Sequence, residues 1–141
     1  MSIRIGWLLY FIGFACILVS CGNFTSAKPA AEKAVKIFHQ QYNSQDWKAI
    51  YENSHENFQK SEKFEKFEEF MKSIHSKLGK VQSTENQNWR VGNFNLKTNV
   101  SLVQQTKFEQ GVGAESFVYR IKDEKAILVG YNINSRDLII K

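Results

Sequence analysis

The period of the apolar pattern changes at Gly79, and that switch limits what this chain can fold into more than any other feature. Before it, apolar side chains recur every three or four residues, the spacing of one helix face; after it they alternate, the spacing of a strand with one side covered. Ala31, Ala34, Val35, Phe38 and Tyr42 put a stripe on a first helix running from Pro29, a residue suited to a first helical turn, to about Tyr42. Asn43-Ser44-Gln45-Asp46 supplies a turn and an N-cap. Trp47, Ile50, Tyr51 and Phe58 then share one side of a second helix that frays near Asn57. Phe64, Phe67, Phe70, Met71, Ile74 and Leu78 mark a third helix, stopped by Gly79 with Lys77 and Lys80 beside it.

Beyond the switch, Lys80 to Val91 reads as a weak strand carrying Val81, Trp89 and Val91. Leu96 to Phe108 reads as a second, with Leu96, Thr98, Val100 and Leu102 on one face. Gly111-Val112-Gly113 marks a turn, Glu115 to Ile121 a third strand, Asp123-Glu124-Lys125 another turn, and Ala126 to Ile133 a fourth strand. Short connections impose antiparallel pairing. The expectation is an α+β domain: about three N-terminal helices packed on one face of a curved antiparallel sheet of about four strands.

Residues 1–21 follow neither pattern. One cation, Arg4, precedes an uncharged apolar stretch from Ile5 to Val19, as in an export signal. Its length is somewhat short of the roughly 20 residues a helix needs to cross a bilayer, but length alone leaves a tilted span open. Leu18-Val19-Ser20-Cys21 resembles the lipobox of bacterial lipoproteins: an aliphatic residue, a small or β-branched one, a small one, then cysteine. The resemblance implies a signal peptide over residues 1–20, cut before Cys21, and a diacylglyceryl group on the Cys21 thiol with a further acyl chain, such as palmitate, on its new amino group. Two chains give stable anchoring on the exported side of the cell membrane. Gly22 stands where an aspartate would resemble an inner-membrane retention signal, so the resemblance favours the periplasmic leaflet of the outer membrane in a host with two membranes.

Residues 21–28 would form a lipidated tether, small and polar from Gly22 to Lys28 and at most about 25 Å long. Residues 29–141 would form one domain, an ordinary size for a single core. Cys16 departs with the leader and leaves no thiol besides Cys21, which excludes a disulfide framework, a thiol nucleophile and a cysteine metal site. The formal charge of +5 is spread, with Lys and Glu alternating from Lys60 to Lys72. That pattern describes a solvated helix face and gives no nucleic-acid stripe.

The segment Tyr42-Asn43-Ser44-Gln45-Asp46-Trp47, the Phe-rich helix ending Lys77-Leu78-Gly79-Lys80 and the later strands resemble the NTF2-like superfamily over roughly residues 30–135. Element order and a few aromatic positions carry the resemblance. It implies a conical cavity between helices and sheet, where some relatives place a carboxylate, a tyrosine or a histidine for isomerase or dehydratase chemistry; fold alone does not transfer that activity. Tyr42, Trp47, Trp89 and Tyr119 are the candidates to line such a pocket, with Phe94 beside them.

No catalytic residue, cofactor or metal site is assigned. Asp46, Glu115, Tyr42 and Tyr119 could serve acid-base chemistry, but each has a simpler role: Asp46 as a helix cap, Glu115 as a solvent-facing strand residue, the tyrosines as core residues with a wet hydroxyl. His39, His55 and His75 lack metal-ligand spacing and suit surface or half-buried helix positions. The functional expectation is a non-enzymatic, membrane-anchored module binding an envelope protein or a small apolar ligand. The alternatives are an isomerase or hydrolase using the cone, and a structural lipoprotein forming a homodimer through the open sheet face, with Ile127, Val129, Tyr131 and Ile133 opposite Leu128.

Overall fold

The computed structural model describes residues 22–140, so the expected signal peptide and Cys21 lie outside the described residues. Helices α1 (Gly22–Asn43), α2 (Trp47–Glu52), α3 (Glu56–Ser61) and α4 (Phe64–Leu78) precede strands β1 (Val81–Phe94), β2 (Lys97–Phe108), β3 (Gly111–Lys122) and β4 (Lys125–Asn134). A short α5 (Asp137–Ile140) follows. The strands form one antiparallel sheet in chain order, β1-β2-β3-β4. The α+β class and the four-stranded curved sheet are as expected. The helices number five among the described residues, not three.

Two features account for the altered helices before the sheet. α1 begins at Gly22, with Pro29 in its interior, so the seven residues expected as an extended tether are helical. Ala27 is fully buried and extends the stripe of Ala31, Val35, Phe38 and Tyr42 by one turn. That packing offsets the amide hydrogen bond that proline cannot make. The expected second helix is broken at Ser54 and His55. The His55 amide donates to the Leu128 carbonyl at 2.8 Å, which pins the break to β4, while His55 Nδ1 accepts from the Asn57 amide at 3.1 Å and starts α3.

α4 ends as expected at Gly79, where φ is 74° and ψ −158°. A side chain there would also meet Glu109, because a Cβ would stand 2.5 Å from its Oε2, the atom that accepts the Lys80 amide. Phe108 pairs with Gly111, so the chain reverses at Glu109 and Gln110, and Gly111 to Gly113 belong to β3 instead of a turn. Asn95 and Leu96 form the β1–β2 turn with φ of 49° and 59°, and Asp123 and Glu124 form the β3–β4 turn with φ of 49° and 61°. Positive φ at both central residues is the geometry that matches strand twist in a two-residue hairpin. Leu96, expected on an inward strand face, is therefore a fully exposed turn residue.

The helices cover one face of the sheet. Val100, Leu102 and Phe108 of β2, Phe117 and Tyr119 of β3, and Leu128 and Ile133 of β4 pack with the α1 stripe and with Trp47, Ile50, Phe67, Met71, Ile74 and Leu78. Each such side chain contributes about 1.5–3 kcal/mol on burial. β4 corrects the expected alternation. Tyr119 faces Leu128 while Val118 faces Gly130, so Val129 is an extra residue, and the bulge turns Leu128, Tyr131 and Ile133 to the covered face together. α1 runs antiparallel to β1. Asn43 exchanges hydrogen bonds of 2.8 and 3.0 Å with Val81, Glu32 accepts from Asn86, and the Lys28 ammonium lies 5.4 Å from the Trp89 ring centre.

Candidate functional site

Four polar side chains from four elements meet under α1. The alternation that turns Phe117 and Tyr119 of β3 inward turns Glu115 inward as well, and it is 1% exposed. This corrects the expectation of a solvent-facing residue. Glu115 Oε2 accepts from His39 Nε2 at 2.7 Å and from the Thr106 hydroxyl, and Oε1 accepts from the Tyr131 hydroxyl at 2.8 Å. Thr106 in turn lies 2.9 Å from the Thr84 hydroxyl of β1. Phe38, Phe117 and Tyr131 wall the cluster, with ring centres 4.7 to 5.2 Å apart.

The cluster ties α1 to three strands. A carboxyl group buried without partners would be costly, and three donors satisfy this one. Burial, aided by Glu115, holds the Tyr131 hydroxyl well above its ordinary range, so it remains a donor. Both Glu115 oxygens accept from protein donors, two at Oε2 and one at Oε1.

Two grooves border this core. One, of about 370 Å³, lies between α3, α4 and β4, with Phe58, Phe67, Phe70 and Tyr131 on its walls and Glu62 and Lys66 at its side. The other, of about 220 Å³, lies between α1, α2 and the β3–β4 hairpin and is lined by Ile37, Phe38, Ile50, Tyr119 and Leu128, with the amides of Gln41 and Asn53. Tyr119 stacks on Phe117 with 5.9 Å between ring centres, and its buried hydroxyl has no hydrogen-bond partner. Burial first, then the Glu115 charge, raises the Tyr119 hydroxyl far above its usual range, which keeps it a donor.

The four pocket candidates are dispersed. Tyr119 alone lines the groove under α1 and α2. Tyr42 is buried and donates to the Gly79 carbonyl at 3.0 Å, so its hydroxyl is not wet; it ties α1 to the start of the sheet. Trp47 is core, edge-on to Tyr42 at 5.5 Å. Trp89 is 51% exposed on β1 beneath Lys28, beside a shallow depression shared with Arg90 and Ser101, and Phe94 is 73% exposed.

Asp46 does cap α2, accepting the Ala49 amide at 3.1 Å. His39 is buried, contrary to expectation, because Glu115 supplies its partner. His55 is half-buried, 3.0 Å from Arg120 Nη1. His75 is half-buried between Tyr42 and Trp47, with Nε2 unpartnered. Among the described residues no group of three His, Cys, Asp or Glu converges as a metal site, and no helix is long and apolar enough to cross a membrane. Comparison with protein-family models, with curated proteins and with solved structures found no match.

Proposed function

We propose that this protein is a lipoprotein of the bacterial cell envelope, anchored through lipid on Cys21, whose domain is a non-catalytic module that binds a small apolar ligand. The lipobox residues Leu18 to Cys21 support the anchor. The binding reading rests on one observation: Tyr119, whose buried hydroxyl has no partner, lines a groove together with Ile37, Phe38, Ile50 and Leu128, beside Gln41 and Asn53. A ligand with an apolar body and one acceptor oxygen would satisfy that donor, since apolar walls with few polar groups are the usual composition of a ligand site. Helices over one face of an antiparallel sheet are compatible with an NTF2-like cone, and this groove is the mouth in that reading.

Native mass spectrometry of the mature protein, isolated from the envelope of its own host, tests the reading. The expected result is a stoichiometric extra mass that disappears in Tyr119→Phe. Protein free of any such mass, in the wild type, would overturn ligand binding and leave an envelope protein as the partner.

A further inference from the structure

The β1–β2 hairpin carries three of the large apolar side chains that the described residues leave in water: Trp89, Phe94 and Leu96. Phe94 precedes the turn and Leu96 is its second residue, wholly exposed at φ 59°, a conformation that usually selects Asn or Gly. A leucine there costs stability and packs against nothing in return. Cations lie at the tip's end of the sheet: Lys97 follows the turn, and Lys122 and Lys125 bracket the neighbouring β3–β4 turn, which also holds Asp123 and Glu124; Lys28, over Trp89 further back, is paired with Glu32 at 2.6 Å. The pairing of Thr98 with Ile121 sets both turns at one end of the sheet.

The start of α1 points to that same end. From Lys28, beside Trp89, the helix advances about 9 Å to Gly22, while the strand advances about 17 Å from Trp89 to Phe94. The tip thus reaches roughly 8 Å past the residue that follows Cys21, comparable to the 5–10 Å depth at which apolar side chains sit in a bilayer interface.

We infer that the β1–β2 hairpin is a second membrane contact, in which Phe94 and Leu96 enter the interface of an anionic bilayer and Lys97, Lys122 and Lys125 meet its headgroups. The inference rests on the anchored reading for its geometry. Aromatic and leucine side chains beside cations are the composition that such interfaces retain. The lipid chains and the hairpin would then hold the domain at two points and fix its orientation.

Hydrogen exchange of the mature protein, read by mass spectrometry, separates the two readings in one digest. The protein is compared in detergent and on vesicles of phosphatidylglycerol and phosphatidylcholine. The peptide containing Cys21 reports the lipid mass; peptides across residues 89–97 report the hairpin. We expect exchange over 89–97 to slow several-fold on vesicles, with the far turn at 109–110 unchanged, and the protection to vanish in a Phe94→Ser, Leu96→Ser variant of unaltered circular dichroism. Lipid on Cys21 with no hairpin protection overturns the inference and leaves the anchor standing. Protection on added vesicles without lipid on Cys21 supports the hairpin and removes the anchor. Protection that persists in the double variant also overturns the inference.

Discussion

His39 Nε2 and Glu115 Oε2 lie 2.7 Å apart in the interior, although 76 residues separate them in the chain. Their contact fastens α1 to the third strand, and Thr106 and Tyr131 extend it to the second and fourth. A polar joint inside an apolar layer has one favourable partner arrangement, so it fixes how α1 sits on the sheet.

Glu115→Ala should therefore cost about 3 kcal/mol or more, because three buried donors lose their acceptor together. Glu115→Gln should cost less, since its amide oxygen can still accept while Thr106 and His39 can turn an acceptor toward its nitrogen. Urea unfolding of both variants checks this; equal, small losses would show that the joint contributes little.

Acidification should weaken the fold through His55. Burial, and then the Arg120 guanidinium, hold its folded pKa below the ordinary value. A neutral imidazole has one acceptor nitrogen, and protonation would remove it while Asn57 and Arg120 both present donors. A histidine with a lowered folded pKa takes up its proton first in the unfolded chain, so stability falls as pH drops below about 6.5 and levels once the folded pKa is passed. His55→Asn keeps a capping side chain and should flatten this slope. Melting temperatures between neutral and mildly acid pH would reveal it; identical profiles for the two proteins would exclude His55 as the source.

The two buried tyrosines should respond oppositely to loss of a hydroxyl. Tyr42→Phe removes the bond to the Gly79 carbonyl and should destabilise by about 1–2 kcal/mol. Tyr119→Phe removes a hydroxyl with no protein partner and should be neutral or stabilise by up to about 1 kcal/mol. Thermal unfolding of ligand-free protein distinguishes them, and a comparable loss in both would mean that Tyr119 is satisfied in solution.

Leu96→Gly should raise stability by about 0.5–1 kcal/mol, because glycine adopts the observed positive φ without strain and Leu96 forfeits no packing. The same change should weaken vesicle contact. Chemical denaturation and vesicle sedimentation measured side by side would show the opposition; a destabilised Leu96→Gly would mean that the leucine packs somewhere after all.

Gly79→Ala should cost about 2 kcal/mol or more. Its backbone lies in a region kept almost entirely to glycine, and a Cβ would press on Glu109. Glu109→Ala in the Gly79→Ala background isolates the backbone part, since it clears the contact while φ remains positive.

Much of this fold was legible from period and punctuation. The stripe from Phe64 to Leu78 and the stop at Gly79 hold because a long helix with one apolar face has little alternative. The β3 parity was legible too: Glu115 shares its face with Phe117 and Tyr119, and the pattern placed it inside. What obscured it was its charge, whose burial depends on His39, Thr106 and Tyr131, three residues remote in sequence. The bulge at Val129 was hidden for a related reason. Its extra residue is defined by pairing with β3, and alternation within β4 carries no trace of it. Pro29 misplaced the start of α1 because small Ala27 gives a weak apolar signal, although it is fully buried.

The strands pair in the order in which they are made, and each neighbour is reached through a two-residue turn. A sheet assembled wholly from adjacent hairpins closes short loops first, which favours fast folding, and the later docking of α1 is its main long-range step. In the exported lipoprotein proposed above, fast folding limits the time the apolar strands spend exposed to aggregation. Residues 22–141 hold no cysteine, so refolding of the domain should be complete without an oxidising partner.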